Sequence, residues 1–276
     1  MANKRDSLGD RMKNNYENRA KTYLLRRTPV IIRLDGCHFH TFTRGFAKPF
    51  DKRLMEAMQE TTLELCKNIQ GCVFGYTQSD EITLVLVDYN NIDTDAWFDY
   101  SVEKMCSVAS SMCTLYFNRI FHQKIRDFVN EHAHVVNDQQ TYGEELSESV
   151  GKLIQKYQKA VEIGATFDAR VFNVPEGEVT NCVFWRQQDC SRNSISSLAQ
   201  AYFSPKELHG KNGSQMQDML MEKYSINWND LSIPEKRGTA IIKNGEGNWA
   251  IDEEMPILRG EGREYLESRI RFDDEG

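Results

Sequence analysis

Along the chain, apolar and polar positions fall into blocks whose spacing alternates between that of strands and that of helices. Val30-Ile31-Ile32-Arg33-Leu34 is a short β-branched run halted by Asp35-Gly36, the pattern of a buried strand running into a turn. From Asp51 to Ile69 the apolar residues (Leu54, Met58, Leu65 and Ile69 among them) recur at helical spacing, with Asp51 placed to cap the helix start and Gly71 to end it. Cys72-Val73-Phe74-Gly75-Tyr76 and Glu81-Ile82-Thr83-Leu84-Val85-Leu86-Val87 flank the polar Thr77-Gln78-Ser79-Asp80 and predict a hairpin. A long helix with one break is expected over residues 94–132, and a second helix from about Glu144 to Val161. Another strand is expected at Phe167 to Pro175. Strand, helix, hairpin, helix, strand is the βαββαβ, ferredoxin-like plan: an α+β fold with an antiparallel sheet backed by helices.

The flanking regions read less sharply. Residues 7–26 suggest a polar helix ending ahead of Pro29, which restricts the residue before it. Residues 37–50 read as a loop. Residues 176–203 suggest helix, 204–236 short helices and loops, and Gly238–Lys243 with Asn248–Asp252 a second hairpin. The last twenty residues are so charged that they are expected to trail off the fold. The expected organisation is a catalytic region over 1–175, carrying the N-terminal helix, and a helical and hairpin extension over 176–276.

Composition changes this picture little. Of 276 residues, 40% are hydrophobic and 27% charged, ordinary for a globular protein. There is no run of 18 apolar residues and no signal-like apolar core after Met1, so the expectation is a cytoplasmic protein without a membrane span. Seven scattered cysteines, with no Cys-x-x-Cys pair, suggest reduced thiols. The net charge of −7 argues against a nucleic-acid binder, but residues 1–27 hold eight basic residues against three acidic ones. A local basic patch of that kind can meet phosphates on an acidic protein, although a solvated helix face is the plainer explanation.

Two features suggest chemistry. Asp35-Gly36 ends the first strand, and Ser79-Asp80-Glu81 sits at the hairpin tip; in a βαββαβ sheet these are neighbours. Two carboxylates held close are costly without a cation. Mg²⁺ suits such a site, because it takes few protein oxygens and completes its shell with water and substrate phosphates; the carbonyl of Gly36 could add one ligand. Each feature alone is more often an ordinary turn. Arg33, Arg44 and Lys48 flank Asp35 and lead to a helix start near Asp51, a place that favours anions. Cys37, His38 and His40 lack a fourth ligand for structural zinc.

The stretch Arg33-Leu34-Asp35-Gly36-Cys37-His38-Phe39-His40 resembles the tRNA-His guanylyltransferase family. So do Phe46-Ala47-Lys48-Pro49-Phe50-Asp51, Ser79-Asp80-Glu81, Phe167-Asp168-Ala169-Arg170-Val171, Trp185-Arg186-Gln187-Gln188-Asp189-Cys190 and, more weakly, Arg237-Gly238-Thr239. These blocks span roughly residues 10–245 in the family's order. The resemblance implies a palm-like domain similar to that of polymerases and nucleotide cyclases, and a two-metal nucleotidyltransferase that extends tRNA at its 5′ end in the 3′-to-5′ direction. It implies that Asp35, Gly36 and Asp80 hold two Mg²⁺ ions and that Asp35, Asp80 and Glu81 form the catalytic set. Arg33, His40, Lys48, Ser79 and Asn193 would bind the nucleotide and its phosphates. ATP and GTP or other NTPs would be substrates, tRNA the partner, and a homotetramer the assembly.

One departure narrows the expectation. Eukaryotic members carry His-Ile-Asn-Asn after the Asp-Cys pair, whereas here Asp189-Cys190 is followed by Ser191-Arg192-Asn193-Ser194. The pattern is more similar to the bacterial and archaeal tRNA-His guanylyltransferase-like proteins, which implies template-directed repair of 5′-truncated tRNA. The alternatives are addition of a single non-templated G to tRNA-His, an RNA-independent nucleotide cyclase, and a non-catalytic RNA-binding protein. Residues 137–162 have no evident counterpart in the family.

Overall fold

A computed structural model describes residues 7–91, 93–137, 141 and 143–271. Its centre is a six-stranded sheet in the order β4-β1-β3-β2-β5-β6, built from β1 (Val30–Gly36), β2 (Cys72–Gln78), β3 (Glu81–Leu86), β4 (Phe167–Asn173), β5 (Thr239–Lys243) and β6 (Trp249–Asp252). Every neighbouring pair is antiparallel. The first four strands realise the expected βαββαβ plan. The second hairpin, expected as part of an extension, instead joins the same sheet, with β5 pairing along the outer edge of β2.

The continuous apolar runs in β1 and β3 reflect burial on both faces. Val30, Ile32 and Leu34 pack with the helices on one side, while Ile31, two residues from Arg33 and four from Asp35, packs in a separate cluster on the other. The first face is covered by α3 (Lys52–Asn68), α4 (Val102–Asn137) and α5 (Glu144–Ile163), following the short α1 (Ser7–Asn15) and α2 (Phe39–Phe42). Along α4, Met105, Ala109, Cys113, Phe117, Phe121 and Ile125 recur every fourth residue and are all buried, which is one stripe of a helix. The second face carries α6 (Glu176–Tyr202), whose Val179 and Val183 pack on Ile31, Phe74, Tyr76 and Val85.

Asp51 caps α3 as expected, accepting the amide of Leu54. It also accepts the amide of Ala47 at 3.0 Å and the Tyr157 hydroxyl at 2.6 Å, so one carboxylate ties α3, its entry loop and α5 together. Beyond α6 lie α7 (Pro205–Leu208), α8 (Gly213–Tyr224), α9 (Ile233–Arg237) and α10 (Glu264–Ile270).

Several expectations need correction. The helix expected over 7–26 stops at Asn15; a 3-10 turn follows at Glu17–Ala20, and then extended chain. The reason is tertiary: the amide of Leu24 bonds the carbonyl of Tyr100, and Tyr23 bridges to Ser101. The loop expected over 37–50 contains α2, whose Phe39 and Phe42 turn into the aromatic core. The tail does not trail off through residue 271, because Leu266 and Ile270 are buried beside Tyr89 and Phe74. The charges of α10 lie on its other side and mask an i, i+4 apolar pair. Residues 1–6, including Lys4 and Arg5 of the basic stretch, and 272–276 fall outside the described residues, as do 138–140 and 142.

Part of the basic stretch is spent internally. Arg26 bonds the buried carboxylate of Asp88 at 2.6 Å and Asp99 at 3.0 Å, and these bonds, the Asp88 bond first, outweigh burial and raise its pKa.

Candidate active site

Register and one backbone bond assemble the candidate carboxylates. Asp35 on β1 lies directly opposite Glu81 on β3 and opposite Asp168 on β4. The amide of Gly36 donates to the carbonyl of Asp80 at 3.1 Å, which fixes the end of β1 against the hairpin tip. Asp80 follows Ser79, held at φ 50°, and accepts a bond from the Ser79 hydroxyl at 3.0 Å. Gly36 is required by packing: a Cβ there would lie 2.1 Å from a ring carbon of Phe39.

The electrostatics of the acidic groups differ. Burial pushes the Asp80 carboxyl above its usual range and nearby Asp35 adds to the shift, while the Ser79 hydroxyl and a backbone bond act the other way. Burial also raises Glu81, opposed by Arg186 and then Arg33. Glu81 has its own cation, since the Arg186 guanidinium donates to it at 2.7 Å. Asp168, half exposed, has Arg170 at 3.7 Å. Among the described residues, neither Asp35 nor Asp80 has an ion-pair partner.

This donor set fits a divalent ion of the Mg²⁺ type. Among the described residues no group of three or more His, Cys, Asp or Glu side chains could hold a metal. Two carboxylates and a backbone carbonyl suit an ion that takes the rest of its shell from water and phosphates, whereas they would make a poor closed site for zinc.

Strand alternation turns Arg33 to the same face as Asp35. Its Nε is buried without a partner, as are Thr83 Oγ1 opposite it and Gln78 Oε1 on β2. Its guanidinium stands 5.6 Å from the Trp185 ring, which also covers Arg186 at 4.3 Å. Ser79 and Asn193 meet at a cavity of about 150 Å³, together with Phe50, Gln78 and Cys190. Pro49 lines it too, and the exposed Lys48 is the preceding residue. His40 is exposed on α2 and does not line that cavity.

Sequence reasoning assigned no role to Trp185, Arg186 or Asp189, although their stretch was singled out. The available signal was the buried acid itself: a carboxylate such as Glu81, expected inside a hairpin, demands a cation. Nothing in spacing says which one, because Arg186 is 105 residues away.

Comparison with known proteins gives the family. Residues 9–175, more than half of the chain, match the family model described as tRNAHis guanylyltransferase. The chain belongs to the tRNA-His guanylyltransferase family. It is thus a nucleotidyltransferase. A bacterial tRNA-His guanylyltransferase-like protein solved in complex with ATP is 42% identical, with a TM-score of 0.77 over 96% of this chain and 100% of that one. Another solved with GTP is 39% identical, with a TM-score of 0.72 over 95% and 98%. An uncharacterized protein of Acanthamoeba polyphaga mimivirus is 30% identical over 86% of this chain and 77% of its own length.

Proposed function

We propose that this tRNA-His guanylyltransferase family member adds nucleotides to the 5′ end of tRNA in the 3′-to-5′ direction, repairing 5′-truncated tRNA against its acceptor strand. The observation that carries the reading is the pairing of Asp35-Gly36 with Asp80: two carboxylates without an ion-pair partner among the described residues, at the end of a sheet, with Arg33 on the same face. The relatives solved with ATP and with GTP support nucleoside triphosphates as substrates here.

Asp35, Asp80 and the Gly36 carbonyl would hold two Mg²⁺ ions. Bound there, the ions would activate an attacking hydroxyl and neutralise charge on a leaving pyrophosphate. Arg33 supplies a positive charge for phosphate oxygens, with Lys48 an exposed one beside the cavity. Such cations act mainly on the charge of the transition state. Ser79 and Asn193, at the cavity, orient the nucleotide, and His40 would reach it only from the exposed face of α2. The incoming nucleotide's 3′-hydroxyl would attack an activated 5′ phosphate of the RNA, and a homotetrameric, cytoplasmic enzyme is the expected form.

The repair reading draws on the departure after Cys190. Where eukaryotic members have His and Asn, Ser191 donates to the carbonyl of Lys236 at 2.9 Å, and Ser194 is buried and accepts from the Trp228 indole at 2.9 Å. These serines join α6 to the segments after it; Asn193 and Ser194 both line the cavity with Ser79, and of the two only Asn193 is exposed.

The test incubates the protein with Mg²⁺, ATP and all four NTPs on two RNAs, a tRNA-His lacking its first paired nucleotide and the full-length transcript. Repair predicts templated addition to the truncated RNA alone. Addition of one G to the full-length RNA would make the chain a guanylyltransferase in the strict sense. If neither RNA is extended, action on tRNA fails and an RNA-free assay for cyclisation of ATP or GTP follows.

A further inference from the structure

At the carboxylate end of the sheet, three acids stand abreast on adjacent strands: Glu81, Asp35 and Asp168. Like charges directly opposite each other on neighbouring strands are destabilising. Asp168 is relieved by solvent and Arg170, but Glu81 is buried. Its relief is built from protein: Arg186 donates through Nε to Glu81 at 2.7 Å, with both side chains about 10% exposed. The same guanidinium donates through Nη2 to Asp189 at 2.6 Å, and Asp189 accepts from the exposed Arg192 at 2.8 Å. The Trp185 ring lies 4.3 Å over Arg186. The charges alternate from the interior outwards, so the chain of four is neutral, and Nε and Nη2 of Arg186 are each committed to a carboxylate.

Resting on the proposed metal role of Asp35 and Asp80, we propose that Arg186 is an internal counter-cation that withholds Glu81 from the metal site, so that divalent ions meet two carboxylates there and not three. Arg186 is a positioning residue, acting through Glu81. Asp189 holds it in place by accepting from Nη2 while Nε serves Glu81, a two-point arrangement in a fixed plane that a lysine ammonium cannot present. Without Arg186, Glu81 faces Asp35 as a free carboxylate and becomes a ligand. With Arg186 but without Glu81, the chain of Arg186, Asp189 and Arg192 carries one net positive charge beside the site and repels metal.

The two partners should therefore shift metal affinity in opposite directions. The measurement is Mn²⁺ binding to the full-length protein, followed by electron paramagnetic resonance without nucleotide or RNA. Groups behind a metal site change affinity by about 10–100-fold. Arg186→Gln is expected to bind Mn²⁺ about tenfold more tightly than wild type, and Glu81→Gln about tenfold more weakly. The double variant Glu81→Gln/Arg186→Gln should return to within about twofold of wild type.

A role confined to packing would weaken binding in both single variants, and that result overturns the proposal. Arg186→Gln leaves a buried carboxylate unpaired; should it fail to fold, the comparison of Glu81→Gln with the double variant decides, since neither retains that acid. Removing Arg186 in that background must tighten Mn²⁺ binding, and no change sinks the idea. Asp35→Asn/Asp80→Asn separates the two levels. If that variant binds Mn²⁺ like wild type, the metal site itself is wrong. If it loses binding while the Arg186 variants behave as wild type, only the counter-cation is wrong.

Discussion

The amide of Gly36 and the carbonyl of Asp80 are joined by a 3.1 Å hydrogen bond, and through it the last residue of β1 is locked to the tip of the β2–β3 hairpin. Both partners are backbone groups, so replacing the Asp35 or Asp80 side chain leaves this link intact. Asp35→Ala and Asp80→Ala should each fold normally and lower nucleotide incorporation by at least about a hundredfold, on the scale of removing one preorganised electrostatic group. Extension of 5′-truncated tRNA, with thermal melts of the same preparations, checks this.

Asp80 should also trade stability for function. Burial holds its carboxyl above the usual range, so the ionised form is less favourable folded than unfolded. The favourable contribution of its protonated form is complete below the unfolded-state pKa and is lost as pH rises through the folded one. Asp80→Asn is therefore expected to raise the Tm of the metal-free protein at pH 7, with the gain shrinking as pH falls through the raised folded-state pKa and gone below about pH 4, the ordinary carboxylate range. An unchanged or lower Tm at pH 7 would contradict this.

Gly36→Ala tests packing at the same place. Its Cβ would collide with Phe39, which is locked among Phe42, Phe117 and Phe167 at centroid distances of 5.0 to 5.6 Å. Overpacking of this sort costs about 1–3 kcal/mol. Urea denaturation should show that loss, and Gly36→Ala/Phe39→Leu should recover part of it.

Arg33→Gln should act on the nucleotide and leave the fold alone. The guanidinium has a buried Nε without a protein partner, so its removal forfeits no internal ion pair. Loss of a hydrogen bond to a charged group, about 1.5–3 kcal/mol, predicts a rise of tenfold or more in the KM for the incoming NTP, with Tm within a few degrees of wild type. An unaltered KM would remove Arg33 from the phosphate site.

Asp51 offers a purely structural check. Tyr157→Phe removes one bond to it and Asp51→Ala removes three. The first should cost about 1–2 kcal/mol and the second more. The double variant should be no worse than Asp51→Ala, because contacts that share a partner do not add. Additive losses in chemical denaturation would show that Tyr157 stabilises through something else.

Much of the frame was legible in the chain. The runs at Val30, Cys72 and Glu81 read as strands because each is short, largely apolar and bounded by turn residues, the run at Phe167 because apolar and charged residues alternate at its start, and the Asp51 cap read correctly because capping is local. The nearness of Asp35 to Asp80 was legible as well, since βαββαβ topology makes β1 and β3 neighbours. What misled was the part that depends on distant partners. Residues 21–24 look helical but are drawn into extended chain by Tyr100 and Ser101. The charged tail hides Leu266 and Ile270, which pack under β2 and β3.

Local periodicity and turn chemistry act over a few residues, so the sequence by itself determined the strands, the main helices, the α+β plan and the acidic ends of β1 and the hairpin. Only the tertiary structure decided that β5 would extend the sheet along β2, that Arg186 would neutralise Glu81 across 105 residues, and that Asp35 and Asp80 would have no ion-pair partner among the described residues. The pairing of Arg186 with Glu81 depends on how α6 crosses the sheet. The angle of that crossing comes from side-chain packing between segments far apart in the chain, which no local pattern encodes.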